Sequence, residues 1–96
     1  MMYHAAADRY EKMPVRHAGK TGLILPVISL GLWQHYGSLD PFGPRRSVIL
    51  DAFDHGVFHF DVGNHYGNGD REPGFGSSER LLGQILATDL KPYRDE

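Results

Sequence analysis

Twice along this chain an apolar run of strand length is followed by a stripe at helical spacing. ISLGLW at 28–33 precedes RRSVILDAFDHG at 45–56, and VFHFDV at 57–62 precedes ERLLGQILATDL at 79–90. A strand, a crossover helix and a second strand in this order is the pattern of a βαβ unit, in which the strands run parallel. The apolar character of 28–33 on both alternating faces predicts a strand covered on both sides. In the first helix Val48, Ile49, Ala52 and Phe53 form the predicted core stripe, with Pro44 in the first turn and Gly56 as the stop. In the second, Leu81, Leu82, Ile85 and Leu86 form the stripe and Ser77 or Ser78 offers the N-cap.

Ahead of these units, PVRHA (14–18) and LILPV (23–27) flank AGKTG, where two glycines around Lys20 and Thr21 read as a hairpin turn. Residues 1–12 carry no clear period and read as a loose arm or a helical turn docked on the surface. Two strand–helix units do not make a closed sheet, because a parallel strand needs neighbours on its edges and helices over its faces. The chain therefore reads as the beginning of something larger, and its free strand edges favour association with another copy or another chain.

Composition narrows the function. At 96 residues the chain is at most one small domain. Ten Lys and Arg against 12 Asp and Glu, without a basic block, leave no electrostatic footprint for nucleic acid or an anionic membrane. No apolar segment approaches the ~20 residues that span a bilayer. There is no cysteine, hence no disulfide framework or thiolate metal site, and MMYHAAADRYEKM lacks the apolar core of a secretory signal. The expected location is the cytoplasm.

The chemistry-bearing residues gather in HFDVGNHYGNG, 59–69. His59 and Asp61 project to one side of a strand and His65 follows, which are nitrogen and oxygen ligands a zinc ion accepts. Against that reading, His59 lies inside the strand and no further cluster joins it, so no metal site is expected. GKT at 19–21 lacks the leading glycine of a phosphate-binding loop, and the glycines from Gly67 onward miss the dinucleotide-binding spacing. Asp61 and Tyr66 are the stronger pair. The carboxyl ends of parallel strands and the loops after them form the working face of such folds, and Asp61 ends a strand while Tyr66 rides the next loop. A protonated phenol can give its proton to a developing alkoxide if a cation beside it lowers its pKa, and a carboxylate can hold that cation. The structural alternative is that Asp61 caps the loop and Tyr66 packs on it.

With these residues in view, the chain resembles the aldo-keto reductases, and most closely the branch with bacterial glyceraldehyde-3-phosphate reductases and potassium-channel β subunits. MPVRHAGKTGLILPVISLGLW, AFDHGVFHFDVGNHYG and GSSERLLGQIL carry the resemblance, in the family's order and spacing. It implies an N-terminal hairpin followed by the first two units of a (β/α)₈ barrel, over residues 13–96, with 1–12 as a separate arm. It further implies reduction of an aldehyde or ketone with NADP(H) and without a metal. Tyr66 would be the proton donor, with Asp61 orienting a lysine, and Gly31, Leu32, Trp33 and Asp61 would lie beside the cofactor. The family's lysine and histidine stand on later strands, so the 96-residue chain is expected to be inactive alone. A non-catalytic interaction module, channel-subunit-like or a truncated assembly partner, is the alternative. Val62, Gly63 and Leu32 depart from the family's usual residues.

Overall fold

In the computed structural model, residues 2–33, 36, 41–64, 66 and 76–96 are described. The hairpin forms where the sequence places it. Strands β1 (Val15–His17) and β2 (Ile24–Pro26) pair antiparallel, with Val15 opposite Pro26 and His17 opposite Ile24. Gly19 and Gly22 both take positive φ in the connection, at 60° and 87°, a region open to glycine at little cost. Further hydrogen bonds close the two ends of the ladder, from Ala18 N to Leu23 O at 2.9 Å and from Val27 N to Pro14 O at 3.0 Å.

Two short parallel strands follow. β3 (Leu30–Gly31) lies beside β4 (Phe60–Asp61), with Leu30 opposite Phe60 and Gly31 opposite Asp61. Leu30 N donates to His59 O at 3.1 Å and Leu32 N to Asp61 O at 3.0 Å, the slanted alternation of a parallel ladder. The crossover between them contains α1 (Phe42–Asp54), so the predicted βαβ order and direction are borne out. The regular strands are shorter than the apolar runs that mark them, and the expectation of cover on both faces is corrected. Leu30, Leu32, Phe58, Phe60 and Val62 belong to the core or pack against it. Ser29, Gly31, Trp33, His59 and Asp61, which alternate with them, are exposed. The helices cover one face only.

The core gathers Leu32, Ile49, Leu50, Phe53, Leu81, Ile85 and Leu90, drawn from β3's end, α1, α2 (Ser77–Ala87) and the turn after it. The phase of α1 differs from the expected stripe: Val48 is 41% exposed while Leu50 is 6% exposed. The buried set Ile49, Leu50 and Phe53 keeps the i, i+1, i+4 geometry, rotated by about one residue toward the sheet. Pro44 does lie in the first turn, where a missing N–H costs nothing. In α2, Leu81 and Ile85 are buried, Leu82 half-buried, and Leu86 faces outward. The cap of α2 is also corrected. Gly76 stands at the N-cap with φ 93°, and no side chain caps this end; Ser77 and Ser78 are the first helical residues and are buried.

The N-terminal arm is docked. The Tyr3 hydroxyl donates to Asp54 Oδ1 at 2.5 Å and Ala6 N to the same oxygen at 2.9 Å. Ala5 N donates to the Tyr93 hydroxyl at 3.0 Å, on a 3₁₀ turn (Lys91–Tyr93). The Arg9 guanidinium lies over the rings of Tyr10, Phe53 and Tyr93 at 4.7, 5.3 and 5.2 Å from their centroids. It also pairs with Glu96 at 2.7 Å, and the Tyr10 hydroxyl donates to the same Glu96 oxygen. Arm, C-terminal end of α1 and chain end are thereby held in one knot of aromatic and charged groups. Arg46 on α1 makes two hydrogen bonds to Asp89 in the turn after α2, at 2.7 and 2.8 Å.

Candidate active site

The candidate site lies at the carboxyl ends of β3 and β4. Asp61 closes β4 on the face away from the helices, and its carbonyl receives the Leu32 N–H. Gly31, its register partner, is exposed, and a β-carbon built there meets nothing within 4 Å. Trp33 follows, 58% exposed. The even positions of these strands are spent on the core, so the odd positions are left to meet whatever approaches the sheet.

Tyr66 sits in the turn that leaves β4. Its N–H donates to Gly63 O at 3.0 Å, and its ring lies so close over Gly63 that a β-carbon there would be 2.8 Å from Tyr66 Cε1. Its carbonyl accepts the Ser78 N–H at 3.4 Å and the Ser77 hydroxyl at 3.5 Å. The first turn of α2 has donors without helical acceptors, and the Tyr66 carbonyl takes one of them. This explains how α2 starts without a side-chain cap, and it ties the tyrosine's backbone to a buried helix end. Tyr66 is half-buried and Asp61 exposed.

Of the residues singled out by sequence, Gly31, Leu32, Trp33 and Asp61 are thus assembled on two adjacent strand ends, and Tyr66 lies on the turn that follows. Leu32 differs from its neighbours, because its side chain is fully buried in the core; only its backbone edge is directed to the β4 ladder. His65 and most of the Gly-rich loop 63–76 fall outside the described residues. Among the described residues no group of three His, Cys, Asp or Glu is placed to hold a metal ion. His55 sits at the C-cap of α1 with Nδ1 2.7 Å from the Asp51 carbonyl. That bond, with the Asp51 charge, raises its pKa, as placement against the negative end of a helix does. Sequence reasoning passes over Ser29, whose Oγ lies 2.7 Å from His59 Nδ1. The signal that finds it is the parallel register: if Gly31 faces Asp61, the positions two before each face one another.

The residues present fit a flat cofactor ring. Among the described residues nothing lies within 4 Å of a β-carbon built on Gly31, and Trp33, two residues on, keeps its aromatic side chain exposed.

No protein-family model matches the chain. It is 42% identical over 96 residues to the L-glyceraldehyde 3-phosphate reductase of Escherichia coli K12, an alignment covering all of this chain and 26% of that protein. It is 34% identical over 71 residues to a probable voltage-gated potassium channel subunit beta of Arabidopsis thaliana, covering 74% of this chain and 22% of that one. A 6-dehydroglucose reductase of Novosphingobium aromaticivorans is 30% identical over 74 residues, covering 77% of this chain and 24% of its own length. The chain spans about a quarter of the length of the curated relatives it matches. A hairpin and a parallel βαβ crossover accompany these similarities, and over the stretch that it spans the chain belongs to the aldo-keto reductase family.

Proposed function

We propose that these residues form the proton-donating corner of an NADPH-dependent carbonyl reductase built on a (β/α)₈ barrel, acting on an aldehyde or ketone. The observation that carries this is the placement of Asp61 at the carboxyl end of a parallel strand with Tyr66 on the turn directly after it. Two of the similar proteins are named as reductases, one of a sugar phosphate and one of an oxidised glucose, which favours a small oxygenated carbonyl compound as substrate.

When bound, NADPH supplies the hydride for the carbonyl carbon. The protein's own part is to receive charge. Tyr66 passes its hydroxyl proton to the carbonyl oxygen, leaving a phenolate, and Asp61 holds a cation beside that phenolate. Gly31 leaves room over the strand, and Trp33 forms a wall that orients the reacting groups and limits water. Lys12, Lys20 and Lys91 stand in the arm, the hairpin turn and the 3₁₀ turn, so the ammonium partner has to come from outside these 96 residues. The chain by itself is therefore expected to be inactive.

The test is a chimera in which this segment replaces the matching quarter of the E. coli reductase. It should oxidise NADPH with an aldehyde substrate, and Tyr66→Phe should reduce the rate by roughly 10²–10⁴-fold. A folded, active chimera that is indifferent to Tyr66→Phe would refute the assignment. The bare face of the β3–β4 pair and the potassium-channel relative favour a second reading, an assembly module without turnover. A folded chimera that binds NADPH yet reduces nothing would support it.

A further inference from the structure

The face of the sheet that carries Asp61 holds one more polar contact. Ser29 precedes β3 and His59 precedes β4, both exposed, and Ser29 Oγ lies 2.7 Å from His59 Nδ1. The parallel register places this pair one alternation below Gly31 and Asp61, which is about 7 Å along the strand. The contact links two strands that otherwise hold each other through a short ladder.

We propose that Ser29 and His59 are positioning residues for Asp61, with the serine hydroxyl donating to Nδ1 and so holding the imidazole in its Nε2–H form. This inference rests on the reading of Asp61 as the site's carboxylate. A neutral histidine has one nitrogen that donates and one that accepts, and a partner on one nitrogen decides the role of the other. With Nδ1 accepting from Ser29, the remaining ring nitrogen is a donor, and the face it shares with an anionic carboxylate gains an N–H rather than a lone pair. The opposite tautomer would set a lone pair on that face and repel the charge. The same bond clamps β3 to β4 at the level beneath the Gly31–Asp61 pair, which limits how far the carboxylate can drift from its place.

Labelled-histidine NMR on the 96-residue chain reads the tautomer directly from the nitrogen shifts of His59. A free neutral imidazole already favours Nε2–H, so the expected result is a proportion of Nε2–H above that of a free histidine in the unmodified chain, a fall to the free proportion in Ser29→Ala, and a return of the excess in Ser29→Thr. A Nδ1–H tautomer in the unmodified chain, or shifts indifferent to Ser29→Ala, would overturn the proposal. In the chimera, Ser29→Ala should lower kcat on the order of 10-fold with KM little changed, and Ser29→Thr should restore it. Unchanged kcat in Ser29→Ala would also overturn it. If the chimera carries no reductase activity at all, the functional reading falls, while the NMR result still decides whether Ser29 sets the imidazole.

Discussion

The carbonyl oxygen of Arg9 lies 2.5 Å from where a β-carbon on Gly56 would sit, and Met13 Cβ lies 2.6 Å from it. Gly56 also has φ 90°, so this residue ends α1 and admits the N-terminal arm at the same time. Backbone conformation and close approach both demand glycine here. Gly56→Ala should destabilise the chain by about 2 kcal/mol or more, seen as a lowered urea midpoint. An unchanged midpoint would show that the arm does not pack against this turn.

The rotation of α1 is checked by a pair of neighbours. Ile49 is fully buried while Val48 is 41% exposed. Ile49→Ala should cost about 2–5 kcal/mol, the range for emptying a core position. Val48→Ala should stay within about 0.5 kcal/mol. Equal costs would mean that the helix presents the face read from the sequence rather than the one seen in the structure.

Alkaline pH should loosen the arm. Burial first, then the hydrogen bond to Asp54 and the nearby negative charges, push the Tyr3 phenol well above its ordinary value. A group whose pKa is raised on folding contributes its stability in full below the unfolded value, about 10 for a phenol. That contribution fades as pH climbs through the folded value. Stability should therefore fall above pH ~10, and Tyr3→Phe should flatten that part of the profile. An equally steep decline in Tyr3→Phe would place the effect elsewhere.

Acid should weaken the link between α1 and the turn after α2. The Arg46 hydrogen bonds hold the Asp89 carboxyl below the usual carboxylate range, against the opposing effect of burial. A depressed carboxylate contributes stability above its unfolded value and loses it as pH falls through the folded one. Asp89→Asn should remove this component below pH ~4. At neutral pH the substitution should cost about 1 kcal/mol or less, since Arg46 is a third exposed and screened by solvent. Thermal midpoints across pH, at low and high salt, separate the two effects.

The hairpin and the two strand–helix units were legible because each has a local cause. Gly19 and Gly22 supply the positive φ of the connection, and the apolar runs keep a period that a strand or helix can use. The phase of α1 was less legible, since Val48, Ile49 and Leu50 are equally apolar and only the position of the sheet selects among them. The start of α2 was misread because serine is a common cap, whereas here the Tyr66 carbonyl meets the Ser78 N–H. For the site, Asp61 and Tyr66 stood out as titratable residues past a strand. Ser29 did not, because its partner is 30 residues away and only the register joins them.

The docking of the arm was the least legible part. Its contacts with Asp54, Tyr93 and Glu96 lie 48–88 residues along the chain, and they follow no period that a window of sequence would reveal. The arm's Arg9 settles on rings and a carboxylate that come from three separate places.

That knot has a consequence for how the protein is made. The arm emerges from the ribosome well before two of its acceptors, the Tyr93 hydroxyl and the Glu96 carboxylate, which follow more than eighty residues later. Throughout that interval Tyr3, Ala5 and Arg9 have no finished surface to settle on, and a nascent chain exposes them to whatever else binds aromatic and cationic groups. Residues translated before their acceptors are thus among the last to reach their final place.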